Sequence, residues 1–423
     1  MKPCVWYVSK YVGVPAASSA GGRGYLLMEA MAREGVEAVI ITSDSNLLTE
    51  VPVLTTPHRV DRVNGLTMCW VRTLKYRVAK SRQRILSWLD FEWRLWRMPK
   101  AAFPRPDVVI VSSLSLLTVV NGWWLRWRYG AKLVVEIRDI WPLTIVEEGG
   151  FSPRNPLVLG LGWLEKLAYR RADAIVGTMP NLAAHVAAVT GQRLPVHCIP
   201  MGVDESLLAP PPPLPDDFRS AYLPDGKFIV AHVGSIGITN ALQTFLDCAR
   251  ALRDVPDIHF LLVGDGDLRA SYMADNADLP NLTFAPRVPK ALVQPVLAAC
   301  DVLYFAVHPS RVWDYGQSLN KVIDYMLAGK PIVASYTGYP SMINEADCGR
   351  YVPAGDTSGL REAILAMRDL PSAERAAMGL RGRSWLMAHR RYDRLARDYL
   401  AILFPDGVHG SKTPSDQPHE APV

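Results

Sequence analysis

The strongest constraint on this chain is a pattern that occurs twice: short β-branched runs separated by stretches of helical spacing. Val5-Trp6-Tyr7-Val8, Val39-Ile40-Ile41, Val108-Val109-Ile110-Val111, Leu133-Val134-Val135-Glu136-Ile137 and Ala174-Ile175-Val176 form the first series. The second consists of Phe228-Ile229-Val230-Ala231-His232-Val233, His259-Phe260-Leu261-Leu262-Val263, Leu282-Thr283-Phe284, Val302-Leu303-Tyr304-Phe305 and Pro331-Ile332-Val333-Ala334. Runs this apolar leave no polar side for water, so they predict parallel strands covered by helices on both faces. Between the series, Pro210-Pro211-Pro212-Pro213-Leu214-Pro215 lacks the amide donors of a helix or central strand and reads as a stiff spacer. The expected class is α/β, with two doubly wound parallel-sheet domains over residues 1–203 and 226–383 and a linker over 204–225. Ligands of such sheets sit at the carboxyl ends of the strands, here in the cleft between the domains.

Composition closes off several other classes. With 49% apolar and 21% charged residues, a 423-residue chain can bury two cores, which excludes global disorder. The six cysteines stand singly with no C-x-x-C pair, so they predict reduced, mostly buried thiols and no metal. The N-terminus enters a strand directly and shows no secretory signal pattern, which predicts a cytoplasmic protein. The uncharged run from Val108 to Leu125 reaches 18 residues, but its serines and Asn121-Gly122 favour strand, turn and short helix over a membrane span. A strong helix is expected from about Ala373 to Phe404, its part over 384–405 packing back toward the first domain. Residues 406–423 have little to bury and read as a disordered tail.

The net charge of +5 is unevenly placed. Lys75, Arg77, Lys80, Arg82, Arg84, Arg94, Arg97 and Lys100 face only Asp90 and Glu92 in that stretch. Interleaved with these are Trp88, Trp93 and Trp96, and a second cluster holds Trp123, Trp124 and Trp127. Aromatics flanked by cations suit a helix lying in a membrane interface; they also suit a core-facing helix with a solvated basic side. No nucleic-acid motif accompanies the charge.

The most informative stretch is Tyr315-Gly316-Gln317-Ser318-Leu319-Asn320-Lys321-Val322-Ile323-Asp324-Tyr325-Met326-Leu327-Ala328-Gly329-Lys330-Pro331. Ser318 fits a helix N-cap, with Lys321 in the first turn. Free backbone N–H groups there favour a diphosphate, and Lys321 adds a point charge. Asp324, about one and a half turns further on, can accept hydrogen bonds from ribose hydroxyls. The same letters also describe an ordinary capped helix leading into a strand.

This stretch resembles the donor-site helix of the family 4 glycosyltransferases, which are retaining enzymes of the GT-B fold with two Rossmann-like domains, and in particular the branch that builds bacterial surface polysaccharides. Further matches fall in the same order: Arg138-Asp139-Ile140-Trp141-Pro142, Ile199-Pro200-Met201-Gly202-Val203-Asp204, and Gly264-Asp265-Gly266 followed by Asn281-Leu282-Thr283-Phe284. Two departures stand out. The family's two glutamates separated by seven residues are replaced by Gly316 and Asp324, and Met201 and Leu319 replace the usual Asn and Pro.

The resemblance implies donor contacts from Gly21, Gly22 and Arg23 after the first strand, Gly234, Ser235 and Gly237 after the sixth, and Gly264. It also implies contacts from Arg287 and Val288 at the base, and from Ser318, Leu319, Asn320, Lys321 and Asp324. Arg138 and Asp139, at the end of a buried strand, read as catalytic or positioning groups, or as a pair that only orders its loop. Asp265-Gly266-Asp267 spells a metal signature of another glycosyltransferase fold, but its strand-end setting is that of a GT-B turn. Neither metal nor cofactor is therefore expected.

The implied partners are a nucleotide-sugar, with UDP the expected nucleotide, and a polyprenyl-diphosphate-linked saccharide at the membrane surface. The Trp-rich face would meet that surface. Two rivals remain: a GT-B-shaped nucleotide-sugar epimerase, which has no use for the tryptophans, and a non-catalytic two-lobed ligand-binding protein.

Overall fold

A computed structural model describes residues 2–15, 22–46, 49–77, 81–113 and 115–408. Gly21, Lys80 and the tail beyond residue 408 lie outside the described residues. Two sheets are present, parallel throughout but for one edge strand of the first, each with helices on both faces.

The first domain contains β1 (Cys4–Val8), α1 (Arg23–Arg33), β2 (Glu37–Ser43), β3 (His58–Val63), β4 (Leu66–Val71), α2 (Arg82–Arg97), β5 (Val108–Ser112) and α3 (Thr118–Tyr129). It continues through β6 (Lys132–Ile137), α4 (Leu143–Glu147), α5 (Pro156–Arg171), β7 (Ala174–Gly177), α6 (Leu182–Thr190) and β8 (Val196–Cys198). The strand order is β3-β4-β2-β1-β5-β6-β7-β8, so it reverses direction between β1 and β5, where such sheets open a crevice. Successive β1 side chains serve opposite cores. Trp6 and Val8 pack with Phe91 of α2, Leu125 of α3 and Leu164 of α5, while Val5 and Tyr7 pack with Leu27 of α1.

The edge hairpin of β3 and β4 is absent from the strand series read above. It is the sheet's antiparallel pair, turned at Asn64-Gly65 with both φ angles positive, +51° and +79°. Asn-Gly is the dipeptide that such a tight hairpin turn selects.

The second domain runs α7 (Asp216–Tyr222), β9 (Phe228–Val233), α8 (Gln243–Ala251), β10 (Ile258–Val263), α9 (Arg269–Asp275), β11 (Leu282–Ala285) and α10 (Lys290–Ala298). Then come β12 (Val302–Ala306), α11 (Asn320–Leu327), β13 (Ile332–Ser335), β14 (Gly349–Val352), α12 (Thr357–Asp369) and α13 (Ser372–His389). Its sheet order is β11-β10-β9-β12-β13-β14. The helix expected from 373 to 404 is two helices. It breaks at Arg390-Arg391, and α14 (Tyr392–Leu403) returns to the first domain, burying Leu395, Tyr399 and Leu403 beside α1. The break lies at the domain crossing, where Val203 N–H donates to the Arg390 carbonyl at 2.8 Å. No helix among the described residues is long and apolar enough to cross a membrane.

Candidate functional site

The carboxyl ends of the two sheets are held facing by a small set of contacts across the cleft. Asn181, at the start of α6, donates its backbone N–H to the Tyr315 carbonyl and its side-chain amide to the Asp314 carbonyl, each at 3.0 Å. The Arg311 N–H reaches Glu147 Oε2 at 3.3 Å, and the Met201 N–H donates to Ser318 Oγ at 2.9 Å. Gly316 lies at this seam with φ +100°, and a Cβ there would stand 2.5 Å from Pro180 Cδ. That geometry accounts for the first departure from the family pattern, because any side chain at 316 would be both strained and driven into the other domain.

Ser318 is therefore not the cap of α11. The N-cap is Leu319, which makes no side-chain cap bond, and the Ser318 hydroxyl is spent on the domain crossing. The open helix start keeps its first backbone donors free of a competing cap. Lys321, in the first turn, hydrogen-bonds the Asn240 side chain, and burial pushes its pKa down to about 8. Nearby, His232 is fully buried, with Nδ1 3.2 Å from the Tyr304 carbonyl and Nε2 3.3 Å from the Ser235 carbonyl. Burial and then Lys321 push its pKa down to about 3, so the ring is neutral and donates only one of those bonds. Asn240, buried in a short 3-10 turn after β9, went unread in the sequence; an Asn in a loop carries no signal until its partner, 81 residues away, is known.

Asp324, partly buried on α11, pairs with Lys290 at 3.2 Å, while Gln294 donates to its carbonyl at 3.0 Å. Burial raises the Asp324 pKa, and Lys290 opposes that rise. Lys290 opens α10 just after Arg287 and Val288, so the loop expected at the base and the carboxylate expected at the ribose adjoin through this pair. Lys290 was also unread, and nothing local in the sequence pairs it with Asp324.

The glycine loop after β9 is built by packing. A Cβ at Gly264 would lie 1.8 Å from the Gly234 carbonyl oxygen, and one at Gly266 would lie 2.3 Å from the Ile236 oxygen. The β9 and β10 turns thus need glycine to touch one another, with Ile236 N–H donating to the Asp265 carbonyl at 2.9 Å. Asp265 accepts from the Gly266 N–H, and among the described residues no group of His, Cys, Asp and Glu is arranged to hold a metal.

On the first-domain side three sequence expectations change. Arg23 is no donor contact. It is fully buried, ion-paired to Glu136 at 2.6 Å, and donates to the Ile199 and Pro200 carbonyls at 2.6 and 3.2 Å. Its charge is used up in tying α1 to the domain crossing, while Gly22 serves as the N-cap of α1. Arg138 and Asp139 do not pair with each other. Asp139 accepts from Trp141 Nε1 at 2.9 Å and Thr144 Oγ1 at 2.7 Å, which orders the start of α4, while the Arg138 N–H is anchored by Ser113 Oγ at 3.0 Å.

The third change concerns the tryptophans, which do not form one face. Trp88 turns inward, donating to the Tyr11 hydroxyl at 2.6 Å and meeting Trp141 edge-on at 5.2 Å. Trp123 and Trp124 lie partly buried against the core under Arg171 and Lys100. Trp93, Trp96 and Trp127 are open to solvent, at 54%, 48% and 80% exposure. Lys100 is not a surface cation either: buried, it caps the end of α2 through the Leu95 and Met98 carbonyls.

Both domains match family models in tandem. Residues 23–202 match the "Glycosyl transferase 4-like domain" and residues 227–369 match "Glycosyl transferases group 1". This is a GT-B-type glycosyltransferase fold. Among solved structures, sucrose-phosphate synthase of Thermosynechococcus elongatus is 18% identical with a TM-score of 0.69, over 96% of this chain and 99% of that one. The E. coli trehalose-6-phosphate protein bound with UDP-2-fluoro glucose is 13% identical, with a TM-score of 0.70 over 95% and 98%. Anabaena Alr3699/HepE in complex with UDP-glucose is 12% identical, with a TM-score of 0.61 over 95% and 99%. Comparison with curated proteins finds no match. At these identities the GT-B architecture is what the solved structures share with this chain.

Proposed function

We propose that this GT-B protein is a retaining glycosyltransferase that moves a hexose or N-acetylated amino sugar from a UDP-sugar to a lipid-linked saccharide in bacterial surface polysaccharide synthesis. The observation that carries the donor half is the cluster on α11: an uncapped helix start, Lys321 held by Asn240, and Asp324 held by Lys290 beside Arg287 and Val288. An open helix start with an adjacent cation suits a diphosphate, and a carboxylate further along suits a ribose. Preorganised donors of this kind stabilise a leaving diphosphate without a metal. Several similar structures hold UDP or a UDP-sugar, which supports the choice of nucleotide.

The acceptor half rests on α2 and α3. Trp93, Trp96 and Trp127 stand exposed beside Arg97 and Arg128, as a helix layer at an anionic membrane surface requires. An epimerase reading leaves that face without a purpose. Asp139, its two oxygens already committed to Trp141 and Thr144, acts in this reading as the fixed end of the acceptor loop. Arg138 beside it receives an anionic group.

Titration with UDP tests the donor site. Asp324→Ala should weaken UDP binding roughly tenfold, the worth of hydrogen bonds to a charged group, with the melting curve unchanged. Affinity of the wild-type protein should also fall as pH rises through about 8, where Lys321 loses its proton in the free protein. No UDP binding at millimolar concentration would overturn the reading.

A further inference from the structure

The helical layer formed by α2 and α3 has a third member. Helix α5 turns Val158, Leu161, Leu164, Glu165 and Ala168 into the core. Its opposite stripe, at spacings of four, three and four residues, is Leu159, Trp163, Lys166 and Arg170. Leu159 and Trp163 are 60% and 67% exposed, a poor use of a tryptophan in a helix facing only water.

Charge is sorted across this layer in one direction. Helices α2, α3 and α5 together hold three acids, Asp90, Glu92 and Glu165. Glu92 points inward to Thr118 Oγ1 at 2.6 Å and to the Asn121 amide at 2.7 Å. Glu165 is buried against His185 Nε2 at 2.7 Å and the Tyr169 hydroxyl at 2.8 Å. Asp90 is closed by Arg94 at 2.8 Å. Among the described residues, exposed Arg82, Arg97, Arg128, Lys166, Arg170 and Arg171 make no ion pair, whereas Arg126 is held by Asp173 at 2.9 Å.

The layer also brackets the cleft mouth. Trp88 of α2 packs on Trp141, and Gly162 of α5 faces the adjoining Pro142, to which a Cβ would come within 3.8 Å. The loop that carries Asp139 thus lies between α2 and α5.

We infer that the Leu159–Trp163–Lys166 stripe of α5 is a second membrane-contacting edge, so that the acceptor side of the cleft opens onto an anionic phospholipid leaflet between two anchored helices. This deepens the membrane reading of α2 and α3 and rests on it for the orientation of the leaflet. The apolar pair enters the acyl boundary, and the cations follow at headgroup depth, the order required of an interfacial helix. With acids withdrawn, each exposed cation adds on the order of 1 kcal/mol at an anionic surface.

Sedimentation of the full chain with vesicles of phosphatidylglycerol and phosphatidylcholine in equal parts tests this. Leu159→Ser/Trp163→Ser should raise the vesicle dissociation constant about tenfold, with UDP affinity and melting curve unchanged because both side chains are on the surface. Lys166→Gln should raise it about fivefold on the anionic vesicles and leave pure phosphatidylcholine unaffected. Unchanged vesicle affinity in both variants overturns the inference. So does a wild-type dimer in light scattering that the α5 double variant converts to monomer without loss of vesicle binding, which would make the stripe a protein interface. The outcomes separate from the earlier reading: loss of UDP binding is a failure of the donor site, and an inert Trp93/Trp96 pair is a failure of α2, while the α5 variants report only on α5.

Discussion

The two helical layers that cover the first sheet are made to opposite rules. On one side, α1 and α14 bury Tyr25, Leu27, Tyr399 and Leu403 and present an ordinary surface of paired charges: Arg397–Glu34 at 3.4 Å, Arg33–Glu29 at 3.5 Å and Arg394–Asp398 at 3.9 Å. Among the described residues this layer exposes no large apolar side chain. On the other side, α2, α3 and α5 expose tryptophan and leucine, turn their glutamates inward, and pair Arg94 with Asp90 and Arg126 with Asp173, while Arg97, Arg128, Lys166 and Arg170 make no ion pair among the described residues. Two surface cavities of this layer, about 420 and 400 Å3, bring tryptophan and arginine together with a pairing acid: Trp93, Arg94 and Arg97 with Asp90 in one, Trp123, Arg126 and Trp127 with Asp173 in the other. Burial of the sheet needs both layers equally. Their outer faces differ: paired charges on the first, exposed tryptophan and leucine on the second.

The largest test of that contrast is Trp93→Ser/Trp96→Ser. Losing two half-exposed indoles should weaken binding to anionic vesicles by roughly tenfold to a hundredfold, since full transfer of a large apolar side chain is worth about 1.5–3 kcal/mol and about half of each is open to solvent. The same change should leave the melting temperature within a degree or two. Equal vesicle binding would mean that the tryptophans serve something other than lipid.

A smaller effect is expected from the inward acids. Burial pushes the Glu92 pKa up to about 7, with Thr118 and Asn121 opposing the rise. Between the unfolded value near 4.5 and about 7 the folded state holds the extra proton, so stability contributed by Glu92 is full below that window and declines as pH rises through it. Glu92→Gln keeps the hydrogen-bond shape without the charge. It should raise the melting temperature by about 2–6 °C at pH 8 and have little effect near pH 4.5, as followed by circular dichroism. A variant less stable at pH 8 would show that the ionised carboxylate is wanted in place.

The smallest effect belongs to the paired-charge layer. Arg397→Ala removes surface ion pairs to Glu34 and Asp393 and should cost no more than about 1 kcal/mol, with vesicle binding unchanged. A clear loss of vesicle binding there would erase the distinction between the layers.

Much of this was legible in the chain. The strands in both series formed where their β-branched runs lay, because a doubly covered parallel strand advertises itself by having no polar face. Asn64-Gly65 marked a hairpin that pattern reading passed over, although its signal is local. Lys321 and Asp324 could be singled out as donor-site candidates because helix start, charge and spacing all lie within ten residues. Lys290 and Asn240, which hold those two side chains, were not: they become partners only when the sheet order β11-β10-β9-β12 brings the segments after β11 and β9 to α11.

What the sequence determined by itself is the class: two series of apolar strands, a proline-rich interruption, and a donor-like helix, all set by local periodicity and composition. The tertiary structure decided direction. Arg23 reads as a loop cation until Glu136 and the Ile199 carbonyl, more than a hundred residues away, enclose it. Trp88 and Trp93 are equivalent letters on one helix until Tyr11 takes the first and solvent the second. Gly316 departs from a family pattern until Pro180 occupies the space a side chain would need. Each of these depends on which surface a residue meets, and that is fixed by long-range packing, which local sequence does not encode.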